Sequence, residues 1–128
     1  MPKSVVRSQR APGAIGPYSQ AIKVGDLVFC SGQIGIDPET GEMVRGGIEV
    51  ETRQVVANLR EVLAAAGADW NKVVRTTIYL KDLNDFATVN RIYGESVGAA
   101  PPARATVQVA GLPKGALVEI DAIASLSA

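Results

Sequence analysis

Residues 101–120 read PPARATVQVAGLPKGALVEI, and this stretch decides how the rest of the chain is arranged. Its composition predicts two short β-strands, Ala103–Ala110 and Leu117–Ala124, joined by a turn containing glycine and proline. Side chains alternate along a strand, so Ala103, Ala105, Val107 and Val109 share one face of the first strand and Arg104, Thr106 and Gln108 the other. In the second strand Val118, Ile120, Ala122 and Ala124 form the apolar face, opposite Glu119 and Asp121. If the apolar faces share one core, Arg104 and Glu119 project from the same opposite side of the sheet. A guanidinium and a carboxylate there are either a structural ion pair or a site. In the second case Arg104 offers a planar fork of donors to a substrate carboxylate, and Glu119 accepts a proton or orients a water. Alternation alone does not choose between them.

Working outward, Ser4–Ser8 is a short strand candidate, and residues 10–17 form a loop rich in proline, glycine and alanine. Tyr18–Val24 and Leu27–Ile34 are predicted strands around a Gly25-Asp26 hairpin turn. Asp37-Pro38-Glu39-Thr40-Gly41 is a further turn signal. Ile48, Val55, Leu59, Val62, Leu63 and Ala66 recur at helical spacing, and Gly67 stands where a C-cap belongs, so a helix spans residues 47–66. Val73–Leu80 alternates as a strand, with Val74, Thr76, Ile78 and Leu80 on one face. Asn84 or Asp85 caps a second helix running to about Ser96, with Phe86, Val89, Ile92 and Tyr93 as its buried stripe. Trp70 and Tyr79 are assigned to packing. The expected fold is α+β, a two-layer sandwich of a mixed β-sheet with two helices on one face. Its uncovered face, carrying Arg104, Thr106 and Glu119, calls for burial by self-association.

Composition narrows the function. The chain of 128 residues is 47% hydrophobic, enough for one domain spanning 1–128 with its own core. Lys and Arg together number 13, as do Asp and Glu, so no net field draws nucleic acid or an anionic membrane. There is no histidine, which excludes histidine-based triads, metal ligands and acid–base pairs. The single cysteine, Cys30, fits a reducing compartment. No apolar leader or membrane-length run is present, so a cytoplasmic protein with no metal and no cofactor is expected.

Pro102-Ala103-Arg104-Ala105-Thr106-Val107, then Gly111-Leu112-Pro113 and Val118-Glu119-Ile120, resemble the hallmark of the RidA (YjgF) family. Residues 14–21, AIGPYSQA, are similar to its N-terminal segment, and Cys30-Ser31-Gly32-Gln33-Ile34 to its next block. Residues 74–83, VRTTIYLKDL, and 86–90, FATVN, continue the match in the family's order over essentially the whole chain. The resemblance implies a chorismate-mutase-like fold, a homotrimer with sites in clefts between subunits, and a cofactor-free deaminase of reactive enamines and imines. It implies that Arg104 binds the carboxylate of an imino or keto acid and that Glu119 holds or activates the hydrolytic water, ionised beside the guanidinium.

By family position Tyr18 lends a cleft wall and a hydroxyl, where the residue alone reads as a half-buried aromatic. Ser31 and Gly32 make a small polar step that substrate can approach, or simply pack a strand. Asn90 becomes a substrate contact, although a helical asparagine is commonly just solvated. Thr106 stands where some members carry cysteine, and Cys30 alternates to the face opposite Ser31, so redox switching through a site thiol is not implied here. The implied substrates are of the 2-aminoacrylate and 2-aminocrotonate type, giving 2-keto acids and ammonia. The alternatives are a 2-keto acid sensor without catalysis and a deaminase of larger catabolic imines. An RNA-processing role is disfavoured by the absence of histidine, the lack of a basic cluster and the few aromatics.

Overall fold

Alternating runs of branched apolar residues place two eight-residue strands at the heart of the sheet, and the other elements add around them. The computed structural model describes all 128 residues. In chain order they are β1 (Ser4–Val6), β2 (Ala21–Val24), β3 (Leu27–Gln33), α1 (Ile48–Ala65), β4 (Val73–Leu80), α2 (Phe86–Val97), β5 (Ala103–Gln108) and β6 (Val118–Ser125). The sheet order is β1-β2-β3-β6-β4-β5. Only β4 and β5 pair in parallel, which requires a crossover, and α2 supplies it. Both helices cover the same face, so the architecture is the expected α+β pair of layers with a mixed sheet.

The core lies between these layers. Val28, Val55, Leu59, Val62, Leu63, Leu80, Val118, Ile120 and Ala124 are fully inaccessible to solvent. Each large aliphatic side chain buried there contributes about 1.5–3 kcal/mol. Gly67 ends α1 at φ 82°, and the Ala68 and Gly67 amides donate to the carbonyls of Leu63 and Ala64, a Schellman closure that a residue with a Cβ would strain. No helix is long and apolar enough to cross a membrane.

Several local expectations are corrected. The register of β4 against β6 shifts between Val73 and Arg75. This bulge turns Val73 into the core and leaves Val74 exposed, reversing the expected face at the start of the strand. Neither Asn84 nor Asp85 caps α2 with its side chain; instead the Asp82 carboxylate accepts from the Asn84 amide at 2.9 Å and starts a 3-10 turn over Leu83–Asp85. Phe86 is 40% exposed rather than part of the buried stripe. Tyr79 lies outside the core, on the uncovered face, with its hydroxyl donating to Asp121 Oδ2 at 2.9 Å.

The largest correction concerns β5. Arg104 pairs with Thr76, Thr106 with Ile78 and Gln108 with Leu80, and these β4 residues face the helices. Arg104 and Thr106 therefore lie on the helix side, while Ala103, Ala105 and Val107 turn to the uncovered face. Strand β5 is outermost, so its apolar row is not claimed by the chain's own core. The uncovered face instead presents Val5, Leu27, Phe29 and Val107, each between 40% and 47% exposed.

Candidate functional site

The candidate residues fall into two groups on opposite faces of the sheet. Glu119 pairs with Tyr79 and Arg104 with Thr76 on the same strand, three positions apart, so alternation sends them to opposite sides. The expectation that Arg104 and Glu119 share one side is thus overturned within a single chain. None of the chain's ion pairs includes either residue.

Tyr18, Ser31, Gly32 and Glu119 line a cleft of ≈ 520 Å³ with Pro12, Gly13, Ile15 and Lys114. A bulge in β3 between Cys30 and Gln33 opens this place in the sheet. Glu119 lies across Gly32 so closely that a Cβ there would come within 2.0 Å of Oε2 and 2.8 Å of Cδ. Glycine at 32 is thereby explained as room for the carboxylate. Burial, and then the neighbouring charge of Asp121, push the Glu119 pKa above its ordinary value. The expected ionisation beside a guanidinium has no partner within the chain.

The cleft wall is held from behind. Gln20, 5% exposed, donates to the carbonyls of Pro12 at 2.7 Å and Ser8 at 3.1 Å and accepts from the Ser8 amide at 2.7 Å. These bonds fasten the loop carrying Pro12, Gly13 and Ile15. Ser31 donates its hydroxyl to the Ser19 carbonyl at 2.6 Å, leaving oxygen lone pairs free. The Tyr18 hydroxyl accepts from the Ile15 amide at 3.3 Å while the ring remains half exposed. Lys114, with φ 57° and ψ 25°, is the only residue other than glycine with positive φ, and it sits on the rim of this cleft.

Arg104 and Asn90 line a second cleft of ≈ 520 Å³, with Tyr93, Gly94, Pro101 and Pro102. Arg104 Nη1 donates to Asn90 Oδ1 at 2.8 Å. Its guanidinium carbon lies 5.2 Å from the Tyr93 ring centroid and 5.6 Å from that of Phe86. The Thr106 hydroxyl oxygen, on the same side of β5, is buried without a hydrogen-bond partner. Phe86, Asn90 and Tyr93 escaped the reading of the sequence as a group, although spacings of four and three place them on one helix face. Cys30 is buried in the core, and burial followed by Asp121 pushes its thiol up to about 12, which keeps it protonated and unreactive. No three His, Cys, Asp or Glu side chains converge as metal ligands.

These features describe an α+β domain with ligand-sized clefts on both faces of one sheet, one lined by Glu119 and the other by Arg104. A family model described as Endoribonuclease L-PSP matches residues 8–126. The chain is 52% identical over 122 residues to a mouse protein named 2-iminobutanoate/2-iminopropanoate deaminase, covering 95% of this chain and 90% of that one. Among solved structures, a putative endoribonuclease L-PSP from Entamoeba histolytica superposes with a TM-score of 0.95 at 50% identity, covering 98% and 100% of the two chains. Escherichia coli TdcF with bound serine superposes at 0.90 with 42% identity, covering 95% and 98%. The chain belongs to the endoribonuclease L-PSP family, the RidA (YjgF) family that its motifs resemble.

Proposed function

We propose that the protein is a cofactor-free deaminase that hydrolyses 2-imino acids of the iminopropanoate and iminobutanoate type to 2-keto acids and ammonia. In this reading residues 1–128 form a single domain, and three copies assemble in the chorismate-mutase-like manner. Arg104 and Asn90 of one subunit then meet Tyr18, Ser31, Gly32 and Glu119 of the next. The observation that carries the reading is the division of the pair: Arg104 and Glu119 stand on opposite faces, each at a cleft and each without an ionic partner. The exposed apolar residues Phe29 and Val107 lie on the face that such an assembly would cover. The name of the mouse relative and the serine held by TdcF support a small amino-acid-like carboxylate as ligand.

The chemistry follows from the groups. The enamine first gains a proton at its β-carbon and loses one from nitrogen, becoming the imine. Arg104 binds the carboxylate through two donors, and Asn90 and Thr106 complete that end. Glu119 takes a proton from water as the oxygen adds to the imine carbon and delivers that proton to the nitrogen. The resulting carbinolamine expels ammonia as the C=O bond forms, its hydroxyl proton passing through Glu119 to the departing nitrogen, which leaves Glu119 ionised for the next turnover. A carboxylate whose pKa is raised by burial is better matched to proton transfer near neutrality than an exposed one. Positioning and one acid–base group, each worth roughly 100-fold or more, suffice for a hydrolysis that also proceeds unaided. RNA cleavage, named in the family description, has no imidazole to serve it in a chain without histidine.

The test generates the imine with an amino-acid oxidase or a threonine dehydratase and traps it with semicarbazide. Wild type is expected to suppress semicarbazone formation, and Arg104→Ala and Glu119→Ala, folded and equally assembled, to fail. Absence of suppression by wild type contradicts the proposal, and 2-keto acid binding in that case points to a sensor.

A further inference from the structure

We propose that Tyr93 and Phe86 are positioning residues for Arg104: a fixed aromatic platform that sets the plane in which the guanidinium meets a substrate carboxylate. The inference deepens the deaminase reading and rests on it for the identity of the ligand. Tyr93 is only 3% exposed, and its ring is held at two points. Its hydroxyl shares a buried hydrogen bond of 2.7 Å with Thr76 Oγ1, and its ring meets Trp70 edge-on, with centroids 5.9 Å apart and planes at 84°. Trp70 is itself buried and donates from Nε1 to the Val56 carbonyl at 3.4 Å. The surface on which Arg104 rests is therefore part of the core.

Phe86 provides the second ring at 5.6 Å, and Asn90, between the two aromatics on α2, holds Nη1. Arg104 thus has contacts to three side chains of one helix. Asn90 is the only hydrogen-bond partner of its guanidinium, so Nη2 and Nε remain free for a ligand. A long side chain otherwise spread over many rotamers is confined, and a lysine could not substitute because an ammonium has no plane to orient. A bidentate carboxylate lies in the plane of the guanidinium. In a 2-imino acid the C=N group is conjugated with that carboxylate, so fixing one plane also fixes the direction, perpendicular to it, along which water must approach the imine carbon. The platform thereby links α2 to the direction of attack.

The experiment follows the Arg104 Nε–Hε resonance by NMR in the assembled protein, with titration by 2-oxobutanoate, in wild type, Tyr93→Leu, Tyr93→Phe and Phe86→Leu. In wild type the Hε signal is expected upfield through ring currents. Phe86→Leu and Tyr93→Leu should each shift it downfield and weaken 2-oxobutanoate binding roughly 3- to 30-fold, as loss of a cation–π contact does. KM for the imine should rise more than kcat falls. Tyr93→Phe keeps the ring and should restore most of what Tyr93→Leu loses. Should Tyr93→Leu not fold, Phe86→Leu decides, because its ring is 40% exposed outside the core. Unchanged Hε position and unchanged binding in the leucine variants overturn the proposal. A wild type that neither hydrolyses imine nor binds 2-oxobutanoate overturns the deaminase reading instead, while the Hε shift still decides the platform.

Discussion

Gly32 carries no reactive group, yet the position of Glu119 depends on it. A methyl group at 32 would stand 2.0 Å from Glu119 Oε2, so Gly32→Ala must push the carboxylate aside. Since a displacement of about 1 Å can cost roughly 100-fold, deamination should fall by about one to two orders of magnitude while thermal stability changes little. Steady-state kinetics beside a melting curve check this. The charge of Asp121 also acts on Glu119 by raising its pKa. Removing that charge lowers the pKa, so the carboxylate keeps its basic form to lower pH. Asp121→Asn should therefore move the acidic limb of the kcat/KM profile to lower pH, and a limb that stays or rises contradicts this. The candidate residues of both clefts stand in the motifs around Arg104 and Glu119 and were legible there as candidates. Their mutual placement was not, because alternation gives two faces without saying which one meets the core.

At the level of elements, α1 and β6 were legible because their periodicity coincides with burial: Val55, Leu59, Val62 and Leu63 on one, Val118, Ile120, Ala122 and Ala124 on the other. Strand β5 misled for the opposite reason. Its apolar row faces away from the helices, and Arg104 of its polar row is held by α2 through Asn90 and the two rings. The bulges in β3 and β4 each insert a residue that no local pattern announces, and the one in β3 opens the place where Ser31 and Gly32 meet the cleft. The loop before β2 depends on Gln20, whose side chain satisfies backbone groups of Ser8 and Pro12. Gln20→Leu strands these groups and should cost about 1–3 kcal/mol in chemical denaturation. Hydrogen exchange should rise in residues 8–16, ahead of any change in α1. Protection equal to wild type there would show that the loop is held by other means.

For the whole molecule, the proposed trimer accounts at once for a half-covered sheet and for the separation of Arg104 from Glu119. Phe29 and Val107 are 41% and 42% exposed on the uncovered face, where a charge would oppose association. Phe29→Asp or Val107→Glu should give a folded chain that sediments as a monomer and has lost deamination. A monomer with full activity would refute the inter-subunit site. The most direct measurement mixes Arg104→Ala chains with Glu119→Gln chains after dissociation and reassembly. Each variant alone has no complete site. In a mixed cyclic trimer one of the three junctions joins an intact Arg104 to an intact Glu119, so an equal mixture should recover roughly a quarter of the wild-type activity. No recovery, with exchange of subunits verified by mass, would contradict a site shared between neighbouring chains.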